Sequence, residues 1–228
     1  MNNSTNSIIK CICDLSLKFK GDIENLLPII ISSEYAFSDI ERLPANQIPL
    51  NIRSIEPSLK MQPIYKIHSK EHNVEIMLGD FTIGFTTTSY KNWEDFNKIQ
   101  TAIIKTIIEK DVIEKINRIG LRYINFFNGN IKEKGKDTFS FKINNEEKLE
   151  NLLNVCFREE VKGNVVNTII ANKQTQMLEK VAQEGYITDI IVAFENNTKM
   201  DYNEIANKIE ELHTIQEEQF ESIRGKNV

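Results

Sequence analysis

The chain has 228 residues, 40% hydrophobic and 27% charged, with a formal net charge of −5. That is enough chain for a real core, and no run approaches the roughly 18 apolar residues a membrane helix needs, so a soluble globular protein is expected. The acidic balance disfavours a generic nucleic-acid coat, and three cysteines (Cys11, Cys13, Cys156) without a CxxC spacing disfavour a disulfide framework or a structural zinc site and are expected as buried thiols.

The polar start from Met1 to Ser7 lacks the basic and apolar segments of a signal peptide, so cytoplasmic residence is the expectation. From Ile9 the odd positions (Ile9, Cys11, Cys13, Leu15, Leu17, Phe19) are apolar and most even ones polar, the period of a long half-buried strand. In that strand Cys11 and Cys13 read as small buried hydrophobes. Asp22 can cap a short apolar helix over Ile23 to Ile31, with Pro28 near its start. Four of the five prolines fall between residues 44 and 63, which predicts an extended connection.

Ile64 to His68, Val74 to Leu78 and Phe81 to Thr87 read as a β-meander, with Gly79-Asp80 as a two-residue hairpin turn. Asn92 is placed to cap an amphipathic helix that carries Trp93, Phe96, Gln100, Ile103, Ile104 and Ile107 on one face. Ile116 to Phe127 is the next strand. Residues 130 to 148 are charged and weakly patterned, with one strand predicted at Thr138 to Ile143.

Leu152 to Glu160, Val165 to Ala171 and Ile187 to Phe194 follow as strands, with turns at Lys162-Gly163-Asn164 and Gln183-Glu184-Gly185. A final helix starts near Asp201, and its stripe runs through Tyr202, Ile205, Ile209, Leu212, His213, Gln216, Phe220 and Ile223. The pattern predicts a single α+β domain over residues 1–228, its antiparallel sheet built from two meander-plus-helix halves (1–128 and 129–228) with the helices packed on one face.

Within Ile116 to Phe127, Gly120, Arg122 and Ile124 face one way and Ile119, Leu121 and Tyr123 the other. Both faces are apolar except at Arg122, the pattern of a central strand covered on both sides. A buried guanidinium must be paired. Asp189, set in the apolar run Ile187 to Val192, is the leading partner, followed by Glu75 and Asp80; an anion or ligand contact is the alternative. His213, on an apolar stripe, needs a hydrogen-bond partner. His68 and His72 flank a turn without metal-site spacing, and no metal or cofactor is expected. Lys132, Lys134 and Lys136 form a basic loop, the local candidate for contacting nucleic acid or an acidic partner.

A Tyr-x-x-Trp-x-x-Phe segment (Tyr90, Trp93, Phe96), then Arg-x-Gly-Leu-Arg-Tyr-x-Asn (Arg118, Gly120, Leu121, Arg122, Tyr123, Asn125), then Leu212-His213 with Phe220 make a recognisable series. The chain resembles a sporadically distributed family of bacterial and archaeal proteins, about 230–270 residues long, of unknown function. The resemblance implies that Arg122, Tyr123, Asn125 and His213 belong to the family's pattern. Its scattered distribution implies an accessory gene of a mobile or phage-defence locus.

No catalytic or phosphate-cradling motif is present. The expectation is a non-enzymatic cytosolic binding protein, accessory or antitoxin-like, with a protein partner or a second copy of itself and with Arg122, Tyr123, Asn125, Asp189 and His213 as binding candidates. The alternative is a nucleic-acid-binding or nucleic-acid-processing protein.

Overall fold

The computed structural model describes residues 7–129, 142–143, 146–147, 154–178 and 181–224. Alternation makes β1 (Ile8–Phe19) a strand whose odd side chains from Cys11 to Phe19 are buried. The chain then turns through a short helix α1 (Leu26–Ile31), preceded by a single 3₁₀ turn whose first free amide, that of Glu24, is capped by Asp22. The meander of β3 (Tyr65–Ser69), β4 (Glu75–Gly79) and β5 (Thr82–Thr87) is joined by an edge strand, β2 (Phe37–Arg42), that the sequence pattern does not reveal. The β4–β5 turn residues are Asp80 and Phe81; Gly79 is still in the ladder, opposite Thr82.

The proline-rich connection is not extended. It forms a 3₁₀ turn at Pro44–Gln47 and two one-turn helices, α2 (Leu50–Arg53) and α3 (Pro57–Lys60). Pro44 and Pro57 occupy first-turn positions, where a missing N–H costs nothing and a fixed φ helps.

Helix α4 (Trp93–Glu109) begins at Asn92, whose Oδ1 accepts from the Asp95 amide at 2.8 Å. It leads into β6 (Ile113–Asn128). A two-residue ladder, β7 (Lys142–Ile143) with β8 (Glu146–Glu147), precedes β9 (Asn154–Val161), β10 (Asn164–Leu178) and β11 (Val181–Thr198). The rest of the strand predicted at Thr138 to Ile143, and Lys132, Lys134 and Lys136, lie outside the described residues. Helix α5 (Tyr202–Arg224) starts with a reciprocal cap: Asp201 Oδ1 accepts from the Glu204 amide and Glu204 Oε2 from the Asp201 amide.

The described strands form a nine-stranded antiparallel sheet in the order β2-β3-β4-β5-β1-β6-β11-β10-β9, alongside the β7–β8 ladder. Directly opposed residues share a face, so the rows Cys11–Tyr123–Ile190 and Cys13–Leu121–Val192 lie on one side of it. Those rows pack in one core with Ile103, Ile104 and Ile107 of α4 and Ile205, Ile209, Leu212 and Ile215 of α5. The opposite side carries the rows Ile12–Arg122–Ile191 and Ser16–Arg118–Glu195, half-buried or charged.

Two expectations are corrected by this geometry. Among the described residues, α4 and α5 cover only the Tyr123 side of the strand of Arg122; the other side holds paired charges flanked by half-buried aliphatic residues, which is why it reads as apolar. The turn predicted at Gln183-Glu184-Gly185 is strand: Gly185 lies in β11 opposite Asn128 of β6. Its role is close approach, since a Cβ at Gly185 would stand 2.1 Å from the Phe127 carbonyl oxygen. Cys156 also departs from the expectation of buried thiols, being exposed on the edge strand β9.

Candidate functional site

The five binding candidates separate into two sets on opposite sides of the sheet. Arg122 meets Asp189 on the side away from α4 and α5. Its Nε donates to Oδ1 at 2.8 Å and its terminal nitrogen to Oδ2 at 2.5 Å, the bidentate fork expected of guanidinium and carboxylate. Of the partners considered, Asp189 is the one used; Asp80 binds Arg53 and Glu75 binds Lys66. Nearby, Arg118 pairs with Asp14, and Gly120 explains the Arg-x-Gly spacing: a Cβ there would stand 2.6 Å from the Arg118 guanidinium nitrogens. The motif lets one arginine lie flat across the strand.

The Arg122 side chain is 36% exposed and that of Asp189 9%. Arg122→Ala strands a nearly buried carboxylate, but solvent at the guanidinium discounts the full cost of breaking a buried pair. We expect a loss of about 1–3 kcal/mol in chemical denaturation, between the exposed and buried limits. A variant as stable as the parent would mean that Asp189 is hydrated without its partner.

Tyr123, Asn125 and His213 lie on the helix side, where β6, the start of α4 and the second half of α5 enclose a cleft of about 700 Å³. Tyr90, Trp93 and Phe220 also line it, so Tyr90, Trp93, Tyr123, Asn125, His213 and Phe220 gather at one place although they span 131 positions in sequence, while Arg118 and Arg122 lie on the opposite face. Trp93, the chain's only tryptophan, stacks on His213 with centroids 4.1 Å apart and planes 19° from parallel. Its Nε1 donates to Glu210 at 2.9 Å, which fixes the indole against α5.

A hydrogen-bonded chain runs along the cleft wall. The Tyr123 hydroxyl lies 3.0 Å from His213 Nδ1 and 3.4 Å from the Tyr90 hydroxyl, while His213 Nε2 faces Glu217 Oε1 at 3.4 Å. Burial lifts the Tyr123 phenol far above its ordinary value, and the neighbouring Cys11 and Tyr90 add to this. Tyr123 therefore keeps its proton. Burial also lowers the His213 pKa, against the raising effect of Glu217 and Glu210. With Nε2–H directed at the Glu217 carboxylate, Nδ1 accepts from Tyr123. The phenol and the imidazole form an oriented pair that carries no charge of its own.

The sign of the His213 shift gives a test. From pH 6.5, the ordinary imidazole value, downward, the unfolded chain takes up the proton before the folded one. The stability held by the neutral imidazole is therefore present above 6.5 and lost as pH falls toward the lower folded value. Because an imidazolium against the indole quenches it, Trp93 emission is expected to drop on acidification with a midpoint below 6.5 and to lose that transition in His213→Gln. A midpoint above 6.5 would contradict the buried neutral imidazole.

At the floor, two amides are left half-used. Asn125 is 1% exposed; its Oδ1 accepts from the Ser7 hydroxyl at 3.1 Å, while its Nδ2 has no partner among the described residues. Gln216 is fully buried, its Nε2 donating to the Ile190 carbonyl at 3.2 Å and its Oε1 likewise unpartnered. Thr188, opposite Asn125 in the ladder, has a third such atom in its hydroxyl. Buried polar atoms without a partner call for one; five more lie elsewhere among the described residues, on Ser33, Thr86, Gln100, Asn164 and Thr168, so what distinguishes these three is that they gather beneath one cleft.

Sequence reasoning names Tyr123, Asn125 and His213 but misses Gln216 as part of the site. The signal is present: His213 and Gln216 are three apart on an otherwise apolar stripe, so both polar heads reach the same spot of the sheet. His68 and His72 serve elsewhere, His68 with Nδ1 3.1 Å from Glu75 and His72 against the ring of Tyr35.

The chain matches no protein-family model and no curated protein sequence. No helix among the described residues is long and apolar enough to cross a membrane.

Proposed function

We infer that the protein is a recognition module rather than a catalyst, and that the Trp93 cleft is where it binds. The observation that carries this is the cleft floor, where buried amides of Asn125 and Gln216 keep a donor and an acceptor unused beneath rigid aromatic walls. The wall network fits binding better than chemistry: a phenol held protonated and an imidazole held neutral orient a ligand without activating a nucleophile. Arg122, committed to Asp189 on the far side of the sheet, is no free phosphate contact, which weakens the nucleic-acid reading.

On this reading the protein is a cytosolic accessory component, antitoxin-like in role and belonging to the scattered family it resembles, and its ligand state is passed on to a protein partner or a second copy. We read the sheet order, β2-β3-β4-β5-β1 followed by β6-β11-β10-β9, as one plan used twice. In each half the last meander strand returns beside the first strand and a helix follows.

The test is ligand-observed NMR on a small-molecule extract of the source cells, with wild type and Trp93→Ala in parallel. The expected result is one or a few signals that saturate with wild type and are lost with Trp93→Ala. Identical profiles for the two proteins would overturn the assignment of the cleft.

A further inference from the structure

Resting on that recognition reading, we propose that the cleft takes an uncharged planar heterocycle presenting a carbonyl beside an N–H on one edge, a lactam of nucleobase size. The floor sets the polar pattern: Asn125 Nδ2 needs an acceptor and Gln216 Oε1 needs a donor, and neither carries charge. Both amides are anchored through their other atom, Asn125 on Ser7 and Gln216 on the Ile190 carbonyl, which fixes where each free atom lies; both free atoms are closed off from solvent, so a ligand reaches them by displacing the side chains above them.

Asn125 and Tyr123 are neighbours on one face of β6, and Ile190 is the ladder partner of Tyr123, so the two free atoms lie in adjoining rows of the floor. A ligand with acceptor and donor side by side satisfies both at once. The walls set the rest. Tyr90, Trp93 and Phe220 make the walls aromatic, with one face of Trp93 already against His213 and one of Phe220 against Phe127, and about 700 Å³ is far more than a simple amide fills but suits a nucleoside.

The rim decides charge. Glu217 and Glu221 outweigh Lys91 among the lining residues, which opposes a phosphate and favours the base or nucleoside over the nucleotide. The same lactam edge also occurs in single-stranded nucleic acid, and the rim argument selects the free compound.

Trp93 fluorescence reads the site directly. The full-length protein is titrated with uridine and inosine, with 3-methyluridine and 1-methylinosine, which lack the N–H, and with uridine monophosphate and an oligouridine. At least one of the two lactam nucleosides is expected to bind saturably, and its N-methyl analogue to bind about 10-fold more weakly or worse. Asn125→Asp and Gln216→Met should weaken binding to the same degree, and the phosphorylated probes should bind less well than uridine.

No saturable response to either nucleoside, or equal binding of the methylated analogues, overturns the proposal, and tighter binding of the oligonucleotide overturns the choice of the free compound. The comparison of analogues needs no variant and stands even if a substitution unfolds the protein. Failure with lactams while extract compounds still perturb Trp93 removes only the ligand class; silence toward both removes the recognition reading as well.

Discussion

Replacing Arg53 with alanine is expected to destabilise the protein by about 3–5 kcal/mol, the cost of stranding one member of a buried ion pair, and to lower Tm by on the order of 10 °C. Arg53 and Asp80 are only 8% and 9% exposed at their side chains. Nε donates to Oδ2 at 2.6 Å and the second terminal nitrogen to Oδ1 at 3.0 Å, while the first terminal nitrogen serves the Ala45 and Ile48 carbonyls. One side chain thereby ties the turns around α2 to the β4–β5 hairpin. Removing it leaves a carboxylate and two carbonyls without their donor, whereas the double replacement Arg53→Met with Asp80→Leu should cost less than either single change. A single variant within about 0.5 kcal/mol of the parent in urea unfolding would show that water replaces the guanidinium, and the pair would lose its structural role.

Gly185→Ala is the second large effect. The added methyl would stand 2.1 Å from the Phe127 carbonyl oxygen and 2.6 Å from the Phe126 ring, and a backbone carbonyl cannot rotate away as a side chain does. Relief requires β11 to move from β6, at the pairing that joins Gly185 to Asn128. We expect a loss of about 3 kcal/mol, the upper part of the usual overpacking range. Amides flanking this pairing should also exchange faster, because the damage is to the ladder. An alanine variant of parental stability would mean that the two strands separate there at no cost.

Much of the fold is legible in the sequence where one physical signal dominates. The alternation of β1, the Asn92 cap of α4 and the stripe of α5 each determine an element and its buried face. The pairing of Arg122 with Asp189 is legible for the same reason, since two opposite charges set in apolar strand runs must find each other. Its placement is not: Gly120 and Ile124 around Arg122 resemble a covered face, and only the folded core shows the α4 and α5 residues packed with Leu121 and Tyr123 instead.

Gly185 and the segment around Arg53 defeat local reading because their roles are tertiary. A glycine among polar residues signals a turn unless another backbone passes close by, and prolines signal extended chain unless each starts a helical turn. The cleft is half legible. Tyr90, Trp93, Tyr123, Asn125, His213 and Phe220 stand out as a pattern, but their convergence depends on α4 and α5 meeting over β6, and the unused atoms of Asn125 and Gln216 exist only in the folded chain.

The most direct test of the cleft as a recognition site is a crystal structure of the protein soaked in a pool of lactam and amide heterocycles. The prediction is one flat ligand in the cleft, against Trp93 or Tyr90, with a carbonyl oxygen near 2.9 Å from Asn125 Nδ2 and an N–H donating to Gln216 Oε1. An empty cleft after soaking, with Asn125 and Gln216 turned to satisfy each other, would contradict it.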